Sequence, residues 1–341
     1  MIRNKGFVKP RIYLDHAATS PLRPEAKAAM DEGFSLWANP SSPHGEGRKA
    51  KSALEDARAR IKAALGLGQE DNGYELIFTS GASEALWIAL NRTKATRRIV
   101  SAVEHDAVFR AAPNAESFGD ETVLDGESIL AVQHVNSETG VINPVSKMVE
   151  TLAPNGVVTL SDCAQSAGKL DLPNADMLVV SAHKFGGPIG IGALLVRDYN
   201  LLDPMGGHER GYRQGTENMP AALGMAAALE AGEWSTTPEQ RSAFIESLGS
   251  SVLTFGDQAD YIVALTHPSM SAQALLIRLD AMGFAVSAGS ACSSGTLKKS
   301  RVLDAFGVAD DVASRTIRVS LGWSTTADEL EQFADSWKTL A

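Results

Sequence analysis

A lysine stands where an apolar run breaks into glycines. Met177, Leu178, Val179 and Val180 are apolar without alternation, as in a strand buried on both faces. Ser181-Ala182-His183-Lys184 follows at once. Then comes Phe185-Gly186-Gly187-Pro188-Ile189-Gly190-Ile191-Gly192, whose glycines end the strand and let the backbone pass close to another group. An amine at such a rim loses part of its hydration, which favours the neutral form, and a neutral amine condenses with a carbonyl.

Taken alone, the pattern also suits a surface lysine after an ordinary strand. Other strand ends change the reading. Apolar runs over 99–103, 129–135 and 157–160 deliver Glu104-His105, then Asn136, then Asp162 with Gln165. With Lys184 this set suits an aldehyde cofactor that carries a pyridinium ring and a phosphate. A carboxylate keeps the ring nitrogen protonated, a flat side chain stacks on the ring, an amide bonds the phenolic oxygen, and the lysine holds the aldehyde. Helix-start amides and a hydroxyl such as that of Ser83 suit the phosphate, because the helix dipole favours an anion there. The glycines over 187–192 superficially match a dinucleotide loop, but they follow the lysine and lead into a strand rather than a helix.

The elements that must position these residues alternate along the chain. The spacing predicts a strand over 11–15, a helix over 24–36, a loop over 39–45 and an amphipathic helix over 47–65, with Ala50, Leu54, Ala57, Ile61 and Leu65 on one face. A strand over 76–78 and the turn Thr79-Ser80-Gly81-Ala82-Ser83-Glu84 feed the next helix. Strands that end by delivering polar residues are how an open parallel α/β sheet builds a site at its carboxyl edge. After Gly206-Gly207-His208-Glu209-Arg210-Gly211 the pattern changes to a small-residue helix over 218–230, a strand over 261–265, helices over 272–282 and 327–340, and a strand over 316–321. The expected division is a large α/β domain over 14–225 and a smaller domain formed by 1–13 and 226–341.

Composition narrows the function classes. The chain has 341 residues, 44% hydrophobic and 21% charged, the balance of a globular protein. A net charge of −10 argues against direct nucleic-acid or anionic-membrane binding, which needs a basic face. Residues 1–10 lack the apolar core of a signal peptide, and no apolar run nears the roughly 20 residues of a membrane span. The two cysteines, Cys163 and Cys292, make no disulfide framework, so a cytoplasmic, reducing compartment is expected. Cys163 reads as a small buried hydrophobe. His44, His208 and Glu209 show no metal-ligand spacing and read as loop residues near the site entrance; no metal is expected.

Nine motifs carry a resemblance. They are Tyr13-Leu14-Asp15-His16-Ala17-Ala18-Thr19, Thr79-Ser80-Gly81-Ala82-Ser83-Glu84, Glu104-His105, His134-Val135-Asn136-Ser137-Glu138-Thr139-Gly140, Asp162-Cys163-Ala164-Gln165-Ser166, Ser181-Ala182-His183-Lys184, Gly206-Gly207-His208-Glu209-Arg210-Gly211, Gly289-Ser290-Ala291-Cys292-Ser293-Ser294 and Arg318-Val319-Ser320-Leu321-Gly322. In this order the chain resembles the cysteine desulfurases of the class-V aminotransferase family, fold-type I pyridoxal-phosphate enzymes, in their group with a mobile cysteine loop.

The resemblance implies a mostly parallel seven-stranded sheet in the large domain and a smaller α+β C-terminal domain that carries the cysteine loop. It implies that Lys184 holds pyridoxal phosphate, Asp162 pairs with the ring nitrogen, His105 stacks on the ring and Gln165 bonds the phenolic oxygen. Asn136 would lie over cofactor and substrate. Ala82, Ser83, Ser181 and His183 would hold the phosphate, with Thr216 reaching in from a second subunit of a homodimer. Asn39 and Arg318 would contact the substrate, Arg318 through its carboxylate. Lys184 would move the Cα proton of L-cysteine, and Cys292 would take the substrate sulfur as a persulfide, leaving alanine. The sulfur would pass to an acceptor protein for iron–sulfur cluster assembly or thiolation. The rivals are another class-V reaction (selenocysteine lyase, β-lyase or aminotransferase), none of which requires a sulfur-accepting thiol, and a non-catalytic scaffold, which has no need of Lys184, Asp162, His105 and Gln165 together.

Overall fold

The computed structural model describes residues 11–67, 73–288 and 300–340. The first strand, β1 (Ile12–Tyr13), is followed by α1 (Pro24–Ser35) and α2 (Gly45–Ala64). Pro24 opens α1 where its missing N–H has no helical partner to lose. The Gly47 N–H donates to His44 Nδ1 at 3.2 Å, which caps α2. Next come β2 (Glu75–Thr79), α3 (Ala82–Arg92), β3 (Arg97–Val100), α4 (Asp106–Ala111), β4 (Glu116–Ser117) and β5 (Ser128–Ala131). Then α5 (Val145–Leu152), β6 (Val158–Asp162), β7 (Met177–Ser181), β8 (Gly192–Val196) and α6 (Met219–Ala231) complete the first part of the fold.

Strands β2 to β8 form one seven-stranded sheet in the order β2-β8-β7-β6-β5-β3-β4. β8 runs antiparallel to both β2 and β7, and every other pairing is parallel. Every residue of β7 and β8 is buried. The strand period of two sends Leu178, Val180, Ala193 and Leu195 to a core shared with α1, α2 and α6, and Met177, Val179, Leu194 and Val196 to one shared with α3 and α4. A sheet covered on both faces explains why these strands read as unbroken apolar runs. This is the fold-type I α/β architecture expected.

The strands expected over 99–103 and 129–135 end at Val100 and Ala131. Beyond them side chains capture the backbone: the Gln133 N–H donates to buried Glu104 Oε1 at 2.7 Å. The edge strand β4 is two exposed residues with no periodic signal to find.

The described chain forms two compact units, one of Thr19–Asn136 and Val141–Glu233, the other of the described parts of Met1–Ala18, Ser137–Gly140 and Trp234–Ala341. The sequence boundary at 225/226 falls inside α6, whereas the division in the structure comes after it. α6 is apolar all round and buried along most of its length, so it belongs entirely to the core it fills. At its crossing with α1, a Cβ on Gly33 would sit 2.6 Å from Pro220 Cα, an approach open only to glycine.

The second unit contains α7 (Pro238–Ser247), β9 (Ile262–Thr266), α8 (Ala272–Met282), β10 (Phe284–Ala285), α9 (Arg301–Ala305), α10 (Asp310–Ala313), β11 (Thr316–Ser320) and α11 (Ala327–Leu340). β9 pairs antiparallel with β11, and β1 pairs parallel with β10. Phe244, Phe284, Phe333 and Trp337 pack ring against ring beneath them. Among the described residues, no helix is long and apolar enough to cross a membrane.

Candidate active site

Parallel register brings the strand ends together. Asp162 closes β6 opposite Val179 of β7, and Lys184 lies in the single 3₁₀ turn (Ala182–Lys184) that follows β7. That turn is fastened from one side. Ser20 donates through its N–H to the His183 carbonyl at 2.7 Å and through its hydroxyl to the Lys184 carbonyl at 3.1 Å. The His183 ring meets the Thr19 hydroxyl at 3.1 Å. Thr19 and Ser20 thus brace the lysine backbone, a role no residue spacing announced.

Asp162 is buried, and its Oδ1 accepts the Ala164 N–H at 2.9 Å. Burial raises its carboxyl pKa; that amide bond and the positive charges of His105 and Lys184 pull the other way. Asp162, His105 and Lys184 therefore lie within electrostatic reach of one another. Among the described residues Asp162 has no ion-pair partner, so a buried anion here calls for a cation, as a protonated ring nitrogen would supply.

His105 precedes α4 and caps it, its Nδ1 accepting the Ala107 N–H at 3.1 Å. A neutral ring so committed carries its proton on Nε2. Loss of water around the ring lowers its pKa, against the pull of Asp162. His105 as a residue remains exposed, so its ring is open to a partner. Asn136 is buried, with its side-chain amide donating to the Val103 carbonyl at 3.2 Å, and Gln165 is buried in the turn after Asp162.

The start of α3 makes a cradle. Its N-cap is Gly81 at φ 149°, a conformation that L side chains rarely adopt, and no side chain caps the helix. Ser181 Oγ lies 3.7 Å from where a Gly81 Cβ would stand, and a Cβ on Gly192 would come within 2.7 Å of Gly81 Cα. The amides at Ala82 and exposed Ser83 therefore begin an eleven-residue helix with their donors uncapped beside a buried hydroxyl, which suits an anion. His183 follows Ser181 by two positions; burial and the nearby charges of Lys184 and Lys169 hold its pKa down to about 4. A buried carboxylate with no ion-pair partner among the described residues, an uncapped helix start and a lysine in the turn after β7 fit pyridoxal phosphate in ring, phosphate and aldehyde.

Thr216 is exposed on a loop over 206–217 that is pinned to the same unit by three ion pairs. Arg210 meets Glu75 at 3.0 Å, Arg213 meets Glu84 at 3.0 Å, and Arg58 meets Glu209 at 2.9 Å. Glu209, expected as a loop residue at the entrance, is instead buried, and its carboxylate also accepts the Phe78 N–H at 2.8 Å. A glutamate between a histidine and an arginine in a glycine-rich loop offers no sequence sign of that burial. His208 pairs with Glu217 at 3.2 Å. Asn39 is exposed, and its side-chain carbonyl accepts the Ser41 N–H at 2.8 Å within its own turn.

In the second unit, Arg318 is buried on β11, donating to the Ser137 carbonyl at 2.9 Å and to Asp15 Oδ1 at 2.8 Å. Cys292 lies outside the described residues. Cys163 is wholly buried and its thiol is pushed up to about 12 by burial, so it is no nucleophile near neutral pH.

The sheet and its edge define a fold-type I enzyme that depends on pyridoxal phosphate. The chain belongs to the class-V aminotransferase family, which matches residues 12–125 and 119–333. It is 32% identical over 373 aligned residues to the cysteine desulfurase IscS of Dictyoglomus turgidum, covering 96% of this chain and 94% of that one. Among solved structures it is similar to a NifS-like protein, with a TM-score of 0.85 at 25% identity over 97% of this chain and 99% of that one. It is also similar to SspA in complex with cysteine, with a TM-score of 0.76 at 26% identity over 92% and 100%.

Proposed function

We propose that this chain is a cysteine desulfurase: it converts L-cysteine to L-alanine and keeps the sulfur on an enzyme thiol for iron–sulfur cluster assembly or thiolation. One observation carries the reading of the site. Asp162 and Lys184 meet at the carboxyl edge of one sheet through the parallel pairing of β6 with β7, and antiparallel β8, whose Gly192 faces both Thr79 and Ser181, brings the uncapped start of α3 to the same edge. The desulfurase relatives and the cysteine-bound SspA structure support the substrate.

When bound, pyridoxal phosphate supplies an electron sink for the pair released as a Cα–H bond breaks. The proposed work of the chain is then to position and to move protons. Asp162 keeps the ring nitrogen protonated, and the amides at Ala82 and Ser83 with Ser181 and His183 hold the phosphate. Gln165 bonds the phenolic oxygen, His105 stacks on the ring with its Nε2 proton directed away from the capped Nδ1, and Asn136 lies over cofactor and substrate. Lys184 Nζ takes the Cα proton. Arg318 takes the substrate carboxylate, Asn39 borders the substrate, and Cys292 Sγ accepts the sulfur. Thr216 completes the phosphate site of a second protomer in a homodimer. A reducing cytoplasm suits a thiol that must return to the reduced state, and a separate acceptor protein takes the sulfur.

The test is turnover of L-cysteine with reductant. Alanine and sulfide should form in equal amounts. Cys292→Ala should lose sulfide while retaining cofactor absorbance, and Lys184→Ala should lose both activity and the lysine-dependent absorbance. Sulfide release by Cys292→Ala at the original rate would refute the desulfurase mechanism. Selenocysteine assayed in parallel separates the lyase alternative.

A further inference from the structure

Arg318 already holds a carboxylate of its own chain. Asp15 Oδ1 accepts from its Nη2 at 2.8 Å, and the Ser137 carbonyl accepts from Nη1 at 2.9 Å. Both side chains are sheltered, with 7% exposure for Arg318 and 21% for Asp15. Their backbones are locked together as well. Asp15 bridges to Ser320 in parallel register, the Ala17 N–H donates to Ser320 Oγ at 2.9 Å, and Arg318 exchanges backbone hydrogen bonds with Ser287. Tyr13 hydroxyl donates to the Asp15 carbonyl at 3.1 Å. This pair is therefore built into the strands, unlike the short-range pair of Arg315 with the exposed Asp311 four residues before it.

The guanidinium is not saturated. Two of its N–H groups are used by Asp15 and Ser137. Its Nε is buried with no hydrogen-bond partner among the described residues. A buried donor in that state is costly, and its natural complement is a second carboxylate. Asp15 thus leaves donors for an incoming carboxylate while it cancels much of the charge that would attract one.

We propose that Asp15 is a specificity-determining residue that weakens carboxylate binding at Arg318 and so lets the carboxylate-bearing product leave. The proposal rests on the reading of Arg318 as the substrate-carboxylate anchor. L-cysteine and L-alanine share that carboxylate, so a bare arginine would hold both tightly and gain nothing in the chemical step. A resident anion on the same guanidinium loosens both.

The experiment uses the holoenzyme and the substitution Asp15→Asn, whose amide oxygen still accepts from Nη2 without the charge. Inhibition by L-alanine and KM for L-cysteine should both tighten, by about tenfold for two anions sharing one cation. Binding of cysteamine, which lacks the carboxylate, should not change, and neither should cofactor absorbance; a merely structural role would move all of these together. Asp15→Ser serves as a second variant if the first does not fold. Arg318→Ala is the control and should weaken L-alanine inhibition. If Arg318→Ala weakens it while the Asp15 variants leave it unchanged or weaker, the role of Asp15 is refuted and the anchor stands. If Arg318→Ala has no effect, the anchor fails and the proposal falls with it.

Discussion

Replacing Glu209 by alanine tests whether the loop over 206–217 depends on a buried charge pair. Glu209 carries 1% side-chain exposure and Arg58 8%, and their atoms meet at 2.9 and 3.2 Å. The same carboxylate accepts the Phe78 N–H, and the Arg58 guanidinium stacks 4.7 Å from the Phe78 ring centroid. Glu209→Ala removes the buried counter-charge of Arg58 and leaves it only the half-exposed Glu55 at 3.3 Å; breaking a buried pair costs about 3–5 kcal/mol, and a screened surface partner restores little of that. The orphaned Phe78 amide adds about 1–3 kcal/mol in isolation, but one carboxylate serves both groups and the two terms overlap. The alanine also retains a left-handed backbone, φ 49° at Glu209, with Arg210 beside it at 56°. A loss of about 3–5 kcal/mol is therefore expected, read by urea unfolding of the holoenzyme followed by circular dichroism and by cofactor release. Cofactor release should come at lower urea than the loss of helix, since the loop is anchored to β2 and α3. The double variant Arg58→Met/Glu209→Leu should recover more than half of the loss, because it removes the stranded charge as well. A loss below about 1 kcal/mol for Glu209→Ala would show that water reaches the pair and that the burial argument is wrong.

Two further outcomes follow from the same geometry. Gly192→Ala places a methyl 2.5 Å from the Val180 carbonyl and 2.7 Å from Gly81 Cα, so cofactor affinity should fall at least about tenfold through distortion of the α3 start, measured by cofactor titration. His134 is buried and burial alone lowers its pKa from 6.5, so the unfolded chain binds the proton first as pH falls. Its contribution is complete above pH 6.5 and declines below it; His134→Gln should flatten the acid limb of stability against pH, and an unchanged limb would refute the assignment.

Much of the site was legible because its chemistry sits at strand ends. Asp162, His105 and Lys184 each follow an apolar run, and a parallel sheet must bring such ends to one edge. Helices with strong periodicity or clear stops were legible too: the predicted ranges 272–282 and 327–340 coincide with α8 and α11. Where a side chain competes with the backbone, as Glu104 does for Gln133, strand ends moved inward.

Residue order alone determined which groups could hold a pyridinium ring, a phosphate and an aldehyde, because each role demands a particular residue type. Tertiary structure decided the rest: that Glu209 is interior, that Thr19 and Ser20 brace the lysine turn, and that Asp15 occupies Arg318. Each of these joins residues far apart in the chain, through contacts that no local period encodes. Burial and pairing arise only when separate strands and loops are packed together, so the charges that matter most were visible in the sequence as residues but not as partners.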